Sequence, residues 1–464
     1  MKEGETVGVS EVRVVLILAL LVAGYVLAAG VFVQKVVAPL VSDGETPAGF
    51  IPELDSGTFH EMAVEMSEDI RAKGWEQWEL DPGWSANQPV GIMAAIYSVT
   101  GPSPLYLLPL NALLHALSVV LLYGILRTCR FSWRESFAGV LPFAFFPSTL
   151  TWVAQFHKDG IYCLGLFSLF YGSLLVLDSG NGRRKVFGFI FLLVGGALVS
   201  VVRDYAIIVF VAAAGSTGML VQVIFSRRSR AGYRESAVGL LILGVALILI
   251  LPLSGEKGGE GKGEAVTESP QPGGSASAEE SPRPVVLEER DDYTPPPTHW
   301  VRSPWMPRVV DDQIHQLIHN RNIFIWLFPE ATSYVDQDQE FQSAWDVIAY
   351  IPRALVVGCL APFPDQWYDS RTTLSGNLQR MVSGVEMAVS YILLGCGLIF
   401  VVRHPSKAFF FLGITALLMI LVLVYPLPAV GSLYRIRFGP YSILLAIGAA
   451  SLIRYWITSR TSKN

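Results

Sequence analysis

Charge is what this sequence has least of: of 464 residues only 16% are Asp, Glu, Lys or Arg, against 52% hydrophobic. A soluble domain carries charge on about a quarter of its residues. The shortfall here is concentrated, because the apolar residues gather into long runs separated by short charged clusters. Cysteine is scarce as well. Cys129, Cys163, Cys359 and Cys396 each stand alone inside or at the edge of an apolar segment, which excludes a disulfide framework and a cysteine metal site. No P-loop, dinucleotide fingerprint, metalloprotease helix or nucleophile elbow occurs. Soluble-nucleotide chemistry therefore has no support, neither a cofactor nor a nucleic-acid partner is expected, and a divalent metal, while compatible with the sequence, has no motif to support it.

What is present is hydrocarbon-length sequence. A helix needs about 20 apolar residues to cross a bilayer, since lipid cannot satisfy an exposed backbone amide. Runs of this kind lie at Val12 to Val33, Pro104 to Leu126, Phe137 to Val153, Gly160 to Leu177, Val186 to Val202, Tyr205 to Phe225, Ala237 to Leu253, Val382 to Val402, Ala408 to Tyr425 and Gly439 to Ile457. The expectation is an all-α polytopic membrane protein with about ten full transmembrane helices. Val90 to Val99 and Val347 to Leu360 are shorter and read as partial or interfacial helices. The first run ends in Ala28, Ala29 and Gly30 like a signal cleavage site, but it exceeds a usual signal core and reads as an uncleaved anchor.

Loop charge sets the orientation, because short cytoplasmic loops are enriched in Lys and Arg. Basic clusters fall at Arg127/Arg130/Arg134, Arg183/Arg184/Lys185, Arg227/Arg228/Arg230/Arg234, Arg403/Lys407 and Arg454/Arg460/Lys463. With ten crossings these all face the cytoplasm, as do both termini, and the two short segments then do not cross. The same parity sends the acidic loop 35–88 and the insert 254–381 to the other side of an inner, cytoplasmic membrane. Four regions follow: an N-terminal transmembrane module, 1–253; a Gly/Glu/Ser/Pro-rich tract, 254–290, too poor in apolar residues to order itself; an outer element with an interfacial helix, 291–381; and a C-terminal transmembrane module, 382–464. Within the first outer loop, Thr58 to Lys73 places Phe59, Met62, Ala63, Met66 and Ile70 on one helical face, as in an amphipathic helix at the membrane surface.

Ionisable residues beside apolar spans are costly and so informative. On this topology Asp55, His60, Gln155, His157, Lys158, Asp159, Arg203, Asp204, Arg353, Arg435 and Arg437 share one depth, the outer helix ends. Each has a plainer reading. Arg203-Asp204 fits a local turn ion pair or a snorkelling anchor, and Asp159 and Asp55 each fit a helix N-cap. Arg435 and Arg437 run against the positive-inside trend, which favours a functional role. Several cations with a few carboxylates and aromatics suit a phosphate-bearing lipid and a sugar.

The stretch DSGTFHEMA, Asp55 to Ala63, resembles the first-loop signature of the integral-membrane glycosyltransferases of the GT-C type, which use polyprenyl-phosphate-linked sugars and include protein O-mannosyltransferases and the aminoarabinose transferases of lipid A. QPVGIMAAIYSVTGPSPLYLLPLNALLHALSVVLLYGI, with Pro89, Tyr97, Gly101 and Asn111, resembles that family's second and third helices. FFPSTLTWVAQFHKDGIY resembles its outer turn, and YIPRALVVGCLAPFP and GSLYRIRFGPY resemble stretches of polysaccharide-related members. Many members carry a second acidic residue where this chain has Ser56. The resemblance implies Asp55 as general base on an acceptor hydroxyl, Lys158, Arg203, Arg435 and Arg437 on the lipid phosphate, and His60 and Asp159 orienting those groups or binding sugar hydroxyls. The acceptor would be a lipid, glycan or protein of the envelope. A surface-polysaccharide polymerase or ligase would use the same groups. A lipid-linked saccharide transporter would need polar residues at mid-membrane and often an inverted repeat.

Overall fold

The computed structural model describes residues 7–42, 46–51, 55–80, 88–178, 182–226, 240–246, 298–329, 333–369 and 374–461. Among them every regular element is helical, and Tyr334 and Ala429 form a lone β-bridge. The tract expected at 254–290 lies outside the described residues. The helices in chain order are α1 (Val7–Phe32), α2 (Asp55–Lys73), α3 (Gln88–Thr100), α4 (Leu108–Thr128), α5 (Trp133–Phe145), α6 (Lys158–Leu177), α7 (Gly182–Ser226), α8 (Arg308–Leu327), α9 (Ala344–Leu360), α10 (Leu374–Arg403), α11 (Lys407–Val424), α12 (Val430–Ile436) and α13 (Phe438–Thr461). The chain is an all-α polytopic membrane protein.

Among the described residues seven helices are long and apolar enough to cross a membrane, and eight if α5 and the following turn Pro147–Val153, bent by 51°, make one broken span. Phe146 causes that break: it precedes Pro147 and is extended at ψ 127°, as the proline ring requires. Helix α7 holds two crossings. Tyr171 packs on Phe191 with ring centroids 5.1 Å apart, while its neighbour Phe170 packs on Phe210 at 5.4 Å. In a straight helix residues 191 and 210 would be about 28 Å apart. The chain must therefore double back between them, and it does so at Arg203, whose backbone leaves the helix at φ −156°, ψ 69°. Both arms match the expected spans. Of the expected Ala237 to Leu253 crossing only 240–246 lie within the described residues.

Small residues let these helices approach. A Cβ on Gly172 would lie 2.6 Å from the Gly188 carbonyl oxygen, and one on Gly195 would lie 2.7 Å from that of Gly165, so α6 and the first arm of α7 meet backbone to backbone. The tightest crossing joins α10 and α13, where a Cβ on Gly448 would fall 2.1 Å from the Leu393 carbonyl oxygen. Gly448→Ala is expected to lower stability by about 1–3 kcal/mol, read as a lower melting temperature of the purified protein. Gly413→Ala, with nothing within 4 Å, should melt like the parent, and equal melting of both variants would refute the close crossing.

The basic residues Arg127, Arg184, Arg403, Lys407 and Arg454 all lie at one end of the bundle, at or beside helix ends. At the opposite end sit the shorter elements. Helix α2 buries Phe59, Ala63 and Ile70 against α3, which buries Val90, Met93, Ala94 and Tyr97 in return. The face expected to lie on lipid is thus covered by protein, and Arg71 ties the two helices by donating to the carbonyls of Tyr97 and Ser98. At 13 residues, about 20 Å, α3 is too short to cross. Helix α9 packs Tyr350, Ala354 and Val357 with Leu423, Tyr425 and Leu433, a second small core that also takes in Ile318 of α8. Asp336 clamps that element: it accepts from Arg353 at 2.8 and 3.0 Å and from Tyr350 at 2.6 Å. The Arg353 hydrogen bonds hold its carboxyl below the usual range.

Candidate functional site

The turn between α5 and α6 carries Gln155, His157, Lys158 and Asp159, and four other elements fix it in place. Gln34 belongs to a π-helical turn, Val33–Val37, that extends α1, and it donates to the Ala154 carbonyl at 2.6 Å. Asn111 of α4 donates to the Val153 carbonyl at 3.0 Å. Ser56 of α2 donates to Gln155 Oε1 at 2.6 Å. From α10, Glu386 accepts from the Ser148 amide at 2.6 Å. Each interaction satisfies a buried polar group that lipid would leave bare.

Held this way, the turn projects Asp159 into a cluster of cations. Arg203 Nη2 lies 2.6 Å from Asp159 Oδ1, His157 Nδ1 lies 2.6 Å from Oδ2, and Arg435 Nε lies 3.7 Å from Oδ2. Arg435 Nη1 also sits 3.3 Å from His157 Nε2. The Arg203 guanidinium stacks 4.7 Å above the ring of Tyr162, one turn along α6 from Asp159. These contacts decide between two pairs of readings. Arg203 pairs with a residue 44 positions away, not with Asp204, which is exposed and accepts from the Tyr205 amide at 2.7 Å. The residue at the N-cap of α6 is His157, and Asp159 makes no capping bond.

Burial separates the members of the cluster. Asp159 and Arg203 expose 2% and 3% of their side chains, whereas Arg435 exposes 23% and Lys158 is half-buried. The buried pair therefore serves as a fixed support, and Arg435 and Lys158 are the cations that reach the surface. Lys158 lies 5.8 Å over the ring of Phe59, which in turn packs on His157 at 5.9 Å. Helix α2 thus rests directly on the cluster. Asp55 opens that helix, one residue before Ser56; its side chain lies outside the described part of the structure.

Two other expected residues point elsewhere. His60 faces α3, with Nδ1 2.9 Å from the Tyr97 hydroxyl and its ring against Phe50, and burial lowers its pKa so that it stays neutral. Arg437 is fully buried and donates to the carbonyls of Val357, Gly358 and Ala361, the last turn of α9. The Val357 carbonyl also accepts from the Ala361 amide at 3.1 Å, and Arg437 adds donors where the last carbonyls of a helix run short of them, so Arg437 caps a helix end. Arg353 is held by Asp336, as above. A residue that pattern reading passed over is Glu386. It is 3% exposed inside a spanning helix and accepts from Tyr434 at 2.5 Å. Tyr434 precedes Arg435, so Glu386 positions the short helix that delivers that cation. A lone carboxylate within the run Val382 to Val402 was the available signal. Cavities of about 500 and 480 Å³ lie away from the cluster, one lined by the basic ends of α4, α6, α10 and α13 and the other by α9 and α10.

The helices define a multi-span membrane protein with an ion cluster buried at one end of its bundle. No family model and no curated protein matches this chain.

Proposed function

We propose that this protein is a membrane glycosyltransferase of the GT-C type, moving a sugar from a polyprenyl-phosphate carrier to an acceptor of the envelope. The observation that carries the reading is the seating of α2 on the cluster. The helix whose first residue is Asp55 is bonded through Ser56 to the turn that presents Lys158, and Arg435 reaches the same turn from the far end of the chain. Arg203 and Arg435 approach the buried Asp159 carboxylate, and Lys158 lies over the ring of Phe59 on the seated helix, cationic side chains of the kind that suit a phosphate.

In this reading the donor's phosphate lies between Lys158 and Arg435, while Asp159 and Arg203 hold those cations in place. Asp55 takes the proton of the acceptor hydroxyl as its oxygen attacks the anomeric carbon. The bond from that carbon to the phosphate oxygen breaks, and the leaving polyprenyl phosphate keeps the electron pair, stabilised by the two cations. On this reading the site faces the non-cytoplasmic side of the cytoplasmic membrane, with both termini inside, and the basic ends of the helices support that orientation.

The experiment follows polyprenyl phosphate release from a polyprenyl-phosphate sugar by membranes carrying the protein. Arg435→Gln is expected to reduce the rate about 10- to 100-fold, the loss of a charge-assisted hydrogen bond. Absence of release in the parent with every polyprenyl-phosphate hexose, pentose and amino sugar offered would count against the assignment.

A further inference from the structure

Helix α12 is seven residues long, and a helix that short is not stable by itself. Its N-cap residue, Ala429, makes no side-chain capping bond. The missing partner comes from a loop remote in sequence: the Val430 amide donates to the Ser333 carbonyl at 2.8 Å. Two residues further along that loop, the Val335 amide donates to the Pro428 carbonyl at 3.0 Å. These bonds flank the bridge between Tyr334 and Ala429. Residues 333–336 therefore form a strap across the start of α12, and it supplies an acceptor that a helix N-terminus otherwise lacks.

The strap is fastened to α8 and α9 at Asp336. Its backbone is left-handed, at φ +50°, a region that Asp and Asn enter more readily than most residues. The Asp336 carbonyl accepts from Arg321 Nη2 of α8 at 2.6 Å, and its carboxylate holds Tyr350 and Arg353 of α9. Arg321 is itself buried, its guanidinium 5.6 Å over the ring of Phe341. Tyr334 adds a further tie by donating to the Phe328 carbonyl, just past α8, at 2.7 Å. Both the charge and the backbone of Asp336 are thus committed to holding the strap in place.

The other end of α12 carries the cluster residue. Arg435 meets His157 and Asp159 there, only about 8 Å along the helix from Val430. A rigid element of that length transmits a shift at its start to its end. We propose that Asp336 is a positioning residue for Arg435, acting through the strap and α12, so that the element built from α8 and α9 belongs to the transfer site. Its effect on rate rests on the glycosyltransferase reading; the mechanical link does not.

Asp336→Asn keeps the side-chain shape and the left-handed backbone and removes the charge. In the full-length protein, hydrogen exchange read by mass spectrometry is expected to quicken about tenfold at the amides of α12, the scale of one charge-assisted hydrogen bond. Exchange in α6 should stay as in the parent. Arg353→Gln, at an exposed position, should reproduce the local change if Asp336→Asn does not fold. Unchanged exchange in α12, or a rise shared equally by α6 and α12, overturns the proposal. In the polyprenyl phosphate release assay Asp336→Asn should lower the rate about 5- to 10-fold in the parent background. It should add nothing to Arg435→Gln, because changes that act through one group do not add. Losses that multiply would overturn the positioning role. A parent that releases no polyprenyl phosphate would sink the transferase reading and leave the exchange measurement to decide the strap.

Discussion

Asp159→Asn is expected to destabilise the protein by about 3–5 kcal/mol, the cost of removing one partner from a buried ion pair. Asparagine has nearly the same shape, so the change isolates charge. Arg203, 3% exposed, would keep its positive charge against the ring of Tyr162, with a second cation, Arg435, drawn to the same side chain at position 159. The hinge of α7 would suffer with it, because Arg203 is the residue at which the helix doubles back. A fluorescence-detected melt of the purified variant reads the loss. Combining Asp159→Asn with Arg203→Leu should restore part of it, since the stranded charge is then gone. A single variant that melts with the parent would show that the pair does not support the fold.

Asp55→Asn is expected to do the reverse, leaving the melting temperature unchanged while sugar transfer falls by about 10²- to 10⁴-fold, the contribution of a general base. The contrast distinguishes the two carboxylates near this end of the bundle. One is sealed among cations as a support; the other opens a helix seated above them. A sugar hydroxyl is a poor nucleophile without a base, so the loss should appear in kcat. Full transfer activity in Asp55→Asn would remove the catalytic role and leave α2 as a cover over the turn. A fall in both activity and melting temperature would assign Asp55 to capping α2.

Much of the architecture was legible in advance. The spans at Pro104 to Leu126, Gly160 to Leu177, Ala408 to Tyr425 and Gly439 to Ile457 correspond to α4, α6, α11 and α13, because hydrocarbon length is a one-dimensional requirement. The reversal at Arg203-Asp204 was legible too, as a charged pair between two apolar runs. The partners of those charges were not. Sequence proximity favoured Arg203 with Asp204, whereas the fold pairs Arg203 with Asp159. The amphipathic face of α2 was equally readable, but its periodicity does not distinguish lipid from protein as the covering surface, and α3 covers it.

Arg435 and Arg437 show the division most clearly. Two positions apart in one short run, they carry the same charge and looked alike on the sequence. The path of α12 sends Arg435 to His157 and Asp159, and sends Arg437 to the carbonyls that end α9. Composition and run length by themselves determined that this chain is helical and lives in a bilayer, since every backbone amide in hydrocarbon must be satisfied within its own segment. Which charges meet depends on helices remote in sequence, and only their packing decided that Arg203 and Arg435 meet at Asp159 while His60 and Arg437 go elsewhere.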